Sequence, residues 1–189
     1  MDVELIFLII LLSAIAMYQF FKGRKLNLGI MSRVSNDLEE SLKPLDKEYT
    51  WLGGYVGFKA KYKLSNADVE ATLTLLPRHA LLYFPISLLV NKADRLYIVV
   101  KGRMEINELH IFGKWRMLSR NEKKELKGLK LEERGGFSFA GDADEAVKII
   151  RMLDNKVLFH LYAKKDYLYI FMDPKGRIEL NALLSALLH

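Results

Sequence analysis

The sequence predicts an α+β fold, with one N-terminal transmembrane helix followed by a single domain whose antiparallel or mixed sheet is covered by helices. Three observations lead to this prediction. The chain opens with an uncharged apolar run, several later segments alternate between apolar and polar residues, and others repeat apolar residues at helical spacing. With 189 residues, 51% of them hydrophobic, the chain is long enough for an anchor and one well-packed domain.

The apolar run extends from Leu5 to Phe21 and contains no charged residue. As a helix it is about 25 Å long, close to the hydrocarbon thickness of about 30 Å in a bilayer. A cleaved signal peptide would have a basic start, whereas residues 1–4 are acidic and the basic cluster follows the run. A buried core helix would carry a polar face, which this run lacks. A retained membrane anchor is therefore the favoured interpretation.

The basic cluster sets the expected orientation, because Lys and Arg next to a span stay in the cytoplasm. We therefore expect a single-pass protein of the cell membrane with its N-terminus outside and its domain in the cytoplasm. The predicted segments are an anchor with a basic flank at 1–25, an amphipathic helix and linker at 26–48, and an α+β domain at 49–189. The membrane flank consists of Lys22, Arg24 and Lys25.

The first part of the domain follows simple periodicities. Apolar residues recur every fourth position from Ile30 to Leu42, which predicts an amphipathic helix that Pro44 ends. A turn or bent strand is expected at 49–57. The next two segments, 58–64 and 69–75, alternate in the manner of strands. Lysines line one of them and glutamate and threonines line the other, so the two are expected to pair as an antiparallel hairpin.

The segment 80–90 is almost continuously apolar and too short to cross a bilayer. The favoured interpretation is a helix of the core. The alternative is an exposed apolar surface that meets lipid or a membrane partner. The residues of that surface are Leu81, Leu82, Phe84, Ile86, Leu88 and Leu89.

The later chain predicts strands at 95–101 and 104–112, then a helix that Asp142 opens. Leu158, Leu161 and Tyr162 are expected to prolong that helix. A strand buried on both faces follows at 167–172, and a last helix at 178–188.

A basic segment lies between the second strand and the Asp142 helix. It predicts either a solvated helix face or a contact for ribosomal RNA or anionic lipid. Its residues are Lys114, Arg116, Arg120, Lys123, Lys124, Lys127 and Lys130.

The sequence offers no catalytic or metal-binding motif. It contains no cysteine, and its four histidines lack metal-ligand spacing. His160, among apolar neighbours, is expected to be a core residue. No dinucleotide fingerprint, phosphate-binding loop, calcium loop or nucleophile elbow is present. We therefore expect that the protein is not an enzyme and has no cofactor, and the sequence identifies no small-molecule substrate.

Several stretches resemble the cytosolic domain of calumin, the coiled-coil-domain protein of the multipass translocon in the endoplasmic reticulum. The segment from Thr72 to Leu82, followed by the strand at 94–100, is similar to the family's strand, basic pair and leucine-rich helix. Residues 109–116 resemble its strand-Gly-x-Arg step into a helix, and 157–173 resemble its late helix-strand pair. The closing leucine-rich helix also fits.

The resemblance implies a short, archaeal relative in the cell membrane. It implies a non-enzymatic factor that assists insertion or folding of multi-spanning membrane proteins, near the Sec channel, small insertase-like membrane proteins and the ribosome. The alternative is a membrane-tethered enzyme or ligand-binding domain. We expect the chain to depart from the family in its acidic luminal segment and its basic coiled-coil tail, so calcium binding is not carried over.

Overall fold

The computed structural model describes residues 3–91, 93–104, 106–113, 130–176 and 180–188. The fold is α+β, as the sequence predicts. One long apolar helix precedes a nine-stranded sheet in which every described pair of neighbours is antiparallel. The described helices are α1 Val3–Leu42, α2 Tyr83–Asn91, α3 Ala143–Ile150 and α4 Leu180–Leu187.

The strands occupy the order β1-β2-β3-β4-β9-β8-β5-β7-β6 across the sheet. Their bounds are β1 Asp46–Trp51, β2 Gly57–Lys63, β3 Ala67–Thr74, β4 Arg95–Gly102, β5 Leu109–Phe112, β6 Glu132–Arg134, β7 Phe137–Ala140, β8 Leu158–Lys164 and β9 Tyr167–Met172. The second strand predicted at 104–112 is shorter than expected and begins at Leu109.

Helix α1 joins the predicted anchor to the predicted amphipathic helix without a break. It has 40 residues, so it is about 60 Å long. Its first half is exposed, and its second half buries a stripe that includes Met31, Val34 and Leu38. The anchor and the domain's first helix are therefore one element, with no linker between 25 and 26.

One face of the sheet carries the hydrophobic core. The second half of α1 packs on β2 and on α4, while α3 packs on β5 and β7. Alternate residues of the central strands point toward these helices, which the pleat of a β-strand requires. Ile98 of β4 and Leu168 of β9 are examples, and both are fully buried.

The predicted hairpin is confirmed, because β2 and β3 pair as antiparallel neighbours. The face of this hairpin that points away from the core is charged. Lys61 of β2 lies opposite Glu70 of β3. The Glu70 carboxylate accepts a hydrogen bond from Lys101 Nζ at 3.0 Å and lies 3.8 Å from Lys59 Nζ. Lys101 therefore lowers the pKa of the Glu70 carboxyl group.

A polar cluster ties the edge strand β1 to α1. The Glu39 carboxylate accepts hydrogen bonds from Lys47 Nζ at 2.7 Å and from the Tyr49 hydroxyl at 2.6 Å. These two donors lower the pKa of Glu39. Burial and the contact with Glu39 raise the pKa of Tyr49. The segment 49–57, predicted as a turn or a bent strand, contains the end of β1, a glycine turn and the first residue of β2.

The prediction that Leu158, Leu161 and Tyr162 prolong the Asp142 helix is wrong. Asp142 does cap α3, since its side chain accepts from the backbone N–H groups of Asp144 and Glu145, but α3 ends at Ile150. The three residues belong to β8. Leu161 is buried on the core face and Tyr162 half-buried on the other, the alternation of a strand.

Leu38→Ala tests whether α1 is part of the core. The side chain is fully buried, so its removal leaves a cavity and should cost about 2–5 kcal/mol of unfolding free energy. Denaturant unfolding of the full chain in detergent measures this loss. Glu40→Ala, at an exposed position two residues away, is the control and should change stability little. Equal values for the two variants would contradict the packing of α1.

Candidate functional site at the junction of the long helix and the domain

The most elaborate polar arrangement in the described chain lies where α1 leaves its apolar run. Two loops meet the helix there: the turn between β1 and β2, and the connection between β3 and β4. We call this place the junction. Its residues are Gln19, Phe20, Gly23, Arg24, Asn27, Tyr55, Leu76, Arg78, His79 and Asp94.

Asn27 is a buried polar residue on α1 that binds both loops. Its Nδ2 donates to the carbonyl oxygen of Tyr55 at 2.8 Å and to that of Leu76 at 2.9 Å. Its Oδ1 accepts from Arg78 Nη1 at 3.0 Å. Because both amide hydrogens and the oxygen have partners, burial of this side chain leaves no polar atom without a hydrogen bond.

Arg78 and Asp94 form a bidentate ion pair behind Asn27. Arg78 Nη2 lies 2.7 Å from Asp94 Oδ2, and Nη1 lies 3.0 Å from Oδ1. Oδ1 also accepts the backbone N–H of Leu76 at 2.9 Å. Asp94 is buried, so loss of Arg78 would leave its negative charge without a compensating cation in the interior. The pair also fixes the two ends of segment 79–93 next to each other.

Gly23 lets the backbone of the loop lie directly on α1. A Cβ atom at this position would come within 2.3 Å of the carbonyl carbon and oxygen of Arg78. One turn earlier, Gln19 Nε2 donates to the same carbonyl oxygen at 2.7 Å. Helix and loop are therefore in contact through backbone as well as side chains.

Aromatic rings surround this contact. The rings of Phe20, Tyr55 and His79 meet edge to face, with centroid distances from 5.8 to 6.4 Å. The Arg24 guanidinium lies 4.6 Å from the centroid of Tyr55, within cation–π range. Trp51, at the end of β1, packs on Tyr55 at 6.2 Å. Amphipathic rings and basic groups of this kind are typical of membrane–water boundaries.

The predicted membrane flank lies at the junction. Arg24 is held by Tyr55, Lys22 Nζ lies 5.5 Å from the Tyr18 ring centroid, and Lys25 is exposed. Helix α1 is long and apolar enough to cross a membrane, and the apolar part of it is not buried in the protein.

The interpretation of 80–90 as a core helix is wrong. Leu82 and Leu89 are 86% and 81% exposed, and Ile86 and Leu88 are also exposed. Leu81 and Phe84 are half-buried. The Arg78–Asp94 pair holds both ends of the segment at the junction, and none of the side chains described for α2 belongs to the main hydrophobic core. The alternative prediction is an exposed apolar surface, and the exposure of Leu82, Ile86, Leu88 and Leu89 agrees with it.

The basic segment falls almost entirely outside the described residues. This holds for Lys114, Arg116, Arg120, Lys123, Lys124 and Lys127, whereas Lys130 is described and exposed. Its contact with RNA or lipid stays a prediction.

Sequence reasoning missed a histidine pair on the other face of the sheet. His110 on β5 and His160 on β8 approach to 3.2 Å between Nδ1 and Nε2. Burial lowers the pKa of His110, although the nearby Glu108 acts in the opposite direction. The sequence does not indicate the pair, because 158–162 has helical spacing and only the pairing of β5 with β8 brings the two rings to one face. Among the described residues, no three His, Cys, Asp or Glu side chains converge as a metal site.

A shallow cleft of about 320 Å³ lies between α4 and the β8–β9 hairpin. Val157, Ile170 and Leu183 are among its apolar walls, and Arg151 and Asp154 lie at its edge. Its volume is at the lower end for small-molecule sites.

Comparison with protein-family models and with curated proteins finds no match to this sequence. The resemblance to calumin therefore stays a prediction. The order β3, α2, β4 agrees with the strand–helix–strand order of the stretch that begins at Thr72. In contrast, the helix that the resemblance implies at 157–163 is not present, because β8 begins at Leu158 and runs to Lys164.

Gly23→Ala and Gly29→Ala are a matched pair that tests the junction. Alanine in a helix is about 1 kcal/mol more favourable than glycine, and Gly29 has no atom within 4 Å of an added Cβ. Gly29→Ala should therefore stabilise the chain. Gly23→Ala should destabilise it, since the methyl group must push the loop away and overpacking costs about 1–3 kcal/mol.

Thermal unfolding and limited proteolysis of the full chain in detergent distinguish the two variants. Gly23→Ala should also expose segment 79–93 to cleavage, whereas Gly29→Ala should not. If both variants were stabilised and resisted protease equally, the close contact of α1 with Arg78 would be refuted.

Proposed function

We propose that this protein is a non-enzymatic, membrane-anchored factor that assists insertion or folding of multi-spanning membrane proteins near the Sec channel and the ribosome. The observation that carries the proposal is the junction. It couples the membrane-spanning half of α1 to the domain without a flexible linker. A domain held in this way has a defined height and orientation above the membrane, which suits a factor that works beside a membrane channel.

The exposed surfaces support the same proposal. The apolar half of α1 leaves its side chains free to contact lipid or another transmembrane segment. Helix α2 adds further apolar side chains next to the point where α1 leaves the bilayer. Transmembrane helices associate through such surfaces by close packing, so a client segment would find contacts at this place.

A membrane-tethered ligand-binding domain is the second candidate, and the cleft beside α4 is the observation that favours it. Apolar walls would suit a small apolar ligand. Met152→Trp, at a 44% exposed position of the lining, would fill the cleft from one side and should abolish the role of such a domain. The same variant should leave a factor that acts through the junction and α1 active.

Crosslinking in cells tests the leading proposal. A photo-activatable residue at Leu12, exposed on the apolar half of α1, should capture channel subunits, small insertase-like membrane proteins or nascent membrane proteins. Leu45 is the control, because it is exposed at the far end of the domain, where its backbone N–H binds the carbonyl oxygen of Lys63. The proposal fails if Leu12 captures none of these membrane proteins, or if Leu45 captures the same ones.

The predicted orientation can be measured with single cysteines, since the chain has none of its own. Lys22, Arg24 and Lys25 should keep the domain in the cytoplasm. A membrane-impermeant maleimide should therefore label Val3→Cys in intact spheroplasts, and label Lys101→Cys only after lysis. The opposite labelling pattern would reverse the topology and exclude a role beside the cytoplasmic ribosome.

A further inference from the structure

We propose that the turn after β1 and helix α2 lie in the interfacial layer of the same bilayer that α1 spans, where lipid covers their apolar side chains. We call residues 51–56, from the last residue of β1 through the following turn, and residues 79–91, which include α2, the rim. The proposal requires that α1 is a membrane anchor, but it does not require the insertion role.

The height of the rim follows from its contacts with α1. Gln19 donates to the carbonyl oxygen of Arg78, and the Phe20 ring meets the His79 ring at 5.9 Å. Phe21 is the last residue of the apolar run. The chain from Arg78 onward therefore starts at the height where α1 passes from hydrocarbon to water.

Helix α2 has the composition of a segment that lies in this layer. Residues 80–91 contain no charged side chain. Leu82, Leu89 and Val90 are 86%, 81% and 70% exposed, and none of the side chains described for α2 joins the main hydrophobic core. A continuous apolar surface of this kind is uncommon in water and marks a place of contact. Nine helical residues are too few to cross a bilayer, so the helix would stay in one leaflet.

The turn after β1 supplies a second apolar element at the same height. Trp51 and Leu52 are exposed, and the Trp51 ring packs on Tyr55, which in turn contacts Phe20 of α1. The turn is joined to the β3–β4 connection because Leu75 N–H donates to Val56 O at 2.6 Å. Trp and Tyr are enriched where headgroups meet acyl chains.

Charge indicates that the covering layer is lipid and not another protein. Lys22 and Lys25 are exposed on α1 within one turn of Phe21, and Arg24 lies on the Tyr55 ring. Basic side chains directly above apolar ones match the order of phosphate and hydrocarbon in an anionic leaflet. A partner protein would need to reproduce that order around a helix that the bilayer already surrounds.

Tryptophan fluorescence in vesicles tests the proposal with the full chain. The chain has two tryptophans, Trp51 and Trp115, so Trp115→Phe leaves Trp51 as the only reporter. The purified protein is reconstituted in vesicles of phosphatidylcholine and phosphatidylglycerol in equal parts, with bromine on the acyl chains of the phosphatidylcholine. Bromine should quench Trp51 relative to the same vesicles without bromine, and the emission should lie at shorter wavelength than in water.

Two further reporters complete the test. Leu89→Trp, with Trp51 and Trp115 both changed to phenylalanine, should also be quenched. Leu45→Trp in the same background is the matched control, because Leu45 is 76% exposed but lies about 20 Å away along β2. Bromine should not affect it, whereas aqueous acrylamide should quench it strongly. Should the tryptophan variants fail to fold, an environment-sensitive dye on Leu82→Cys gives the same reading in the otherwise unchanged chain.

Each outcome decides the proposal. Bromine quenching at positions 51 and 89 without quenching at 45 supports it. Quenching by acrylamide alone at positions 51 and 89 overturns it, since the rim would then lie in water. Protection from both quenchers also overturns it and indicates that a second copy covers the rim. None of these results depends on a client protein, so failure here and failure of the crosslinking experiment are separate.

Discussion

The arrangement of this protein depends on the hydrogen-bonded contact of Asn27 with Arg78 and Asp94. An amide buried in the middle of a long helix would be costly without partners. Its partners here are two loop carbonyls and a guanidinium that is itself paired with a buried carboxylate. Because each polar group here has its hydrogen-bond partner within the same network, a shift of the helix against the loops would break several hydrogen bonds at once. It sets the position of the helix relative to the sheet.

The same contact explains why α1 serves two environments. Its first half is apolar on every side, as a lipid-exposed helix must be, while its second half is amphipathic and lies on β2. The change occurs near Gly23 and Asn27, within two turns of helix. A flexible linker at this point would let the two halves move independently, whereas a continuous helix couples their orientations.

Much of the fold could be predicted because its signals are local. The alternation of lysines with apolar residues in β2 and the four-residue spacing of Val34 and Leu38 each report one buried face. Residues 158–162 are predicted as a helix because Leu158, Leu161 and Tyr162 fit helical spacing as well as a strand. Only the pairing with β5 and β9 decides between the two. For the same reason, the sequence does not indicate that His110 and His160 lie side by side.

The junction could not be predicted, because its partners are far apart in sequence and each is ordinary alone. Arg78 is 51 residues from Asn27 and 16 from Asp94. The only local hint was a glycine and an asparagine four residues apart on a helix, where they form one face.

The exposure of α2 also depends on contacts between residues that are far apart in sequence. Apolar composition predicts that a segment leaves water, but the tether at its two ends determines whether it enters the core or the surroundings of the protein. Here Arg78 and Asp94 hold both ends of the segment beside α1, at the end of its apolar run, and the apolar side chains of α2 are exposed.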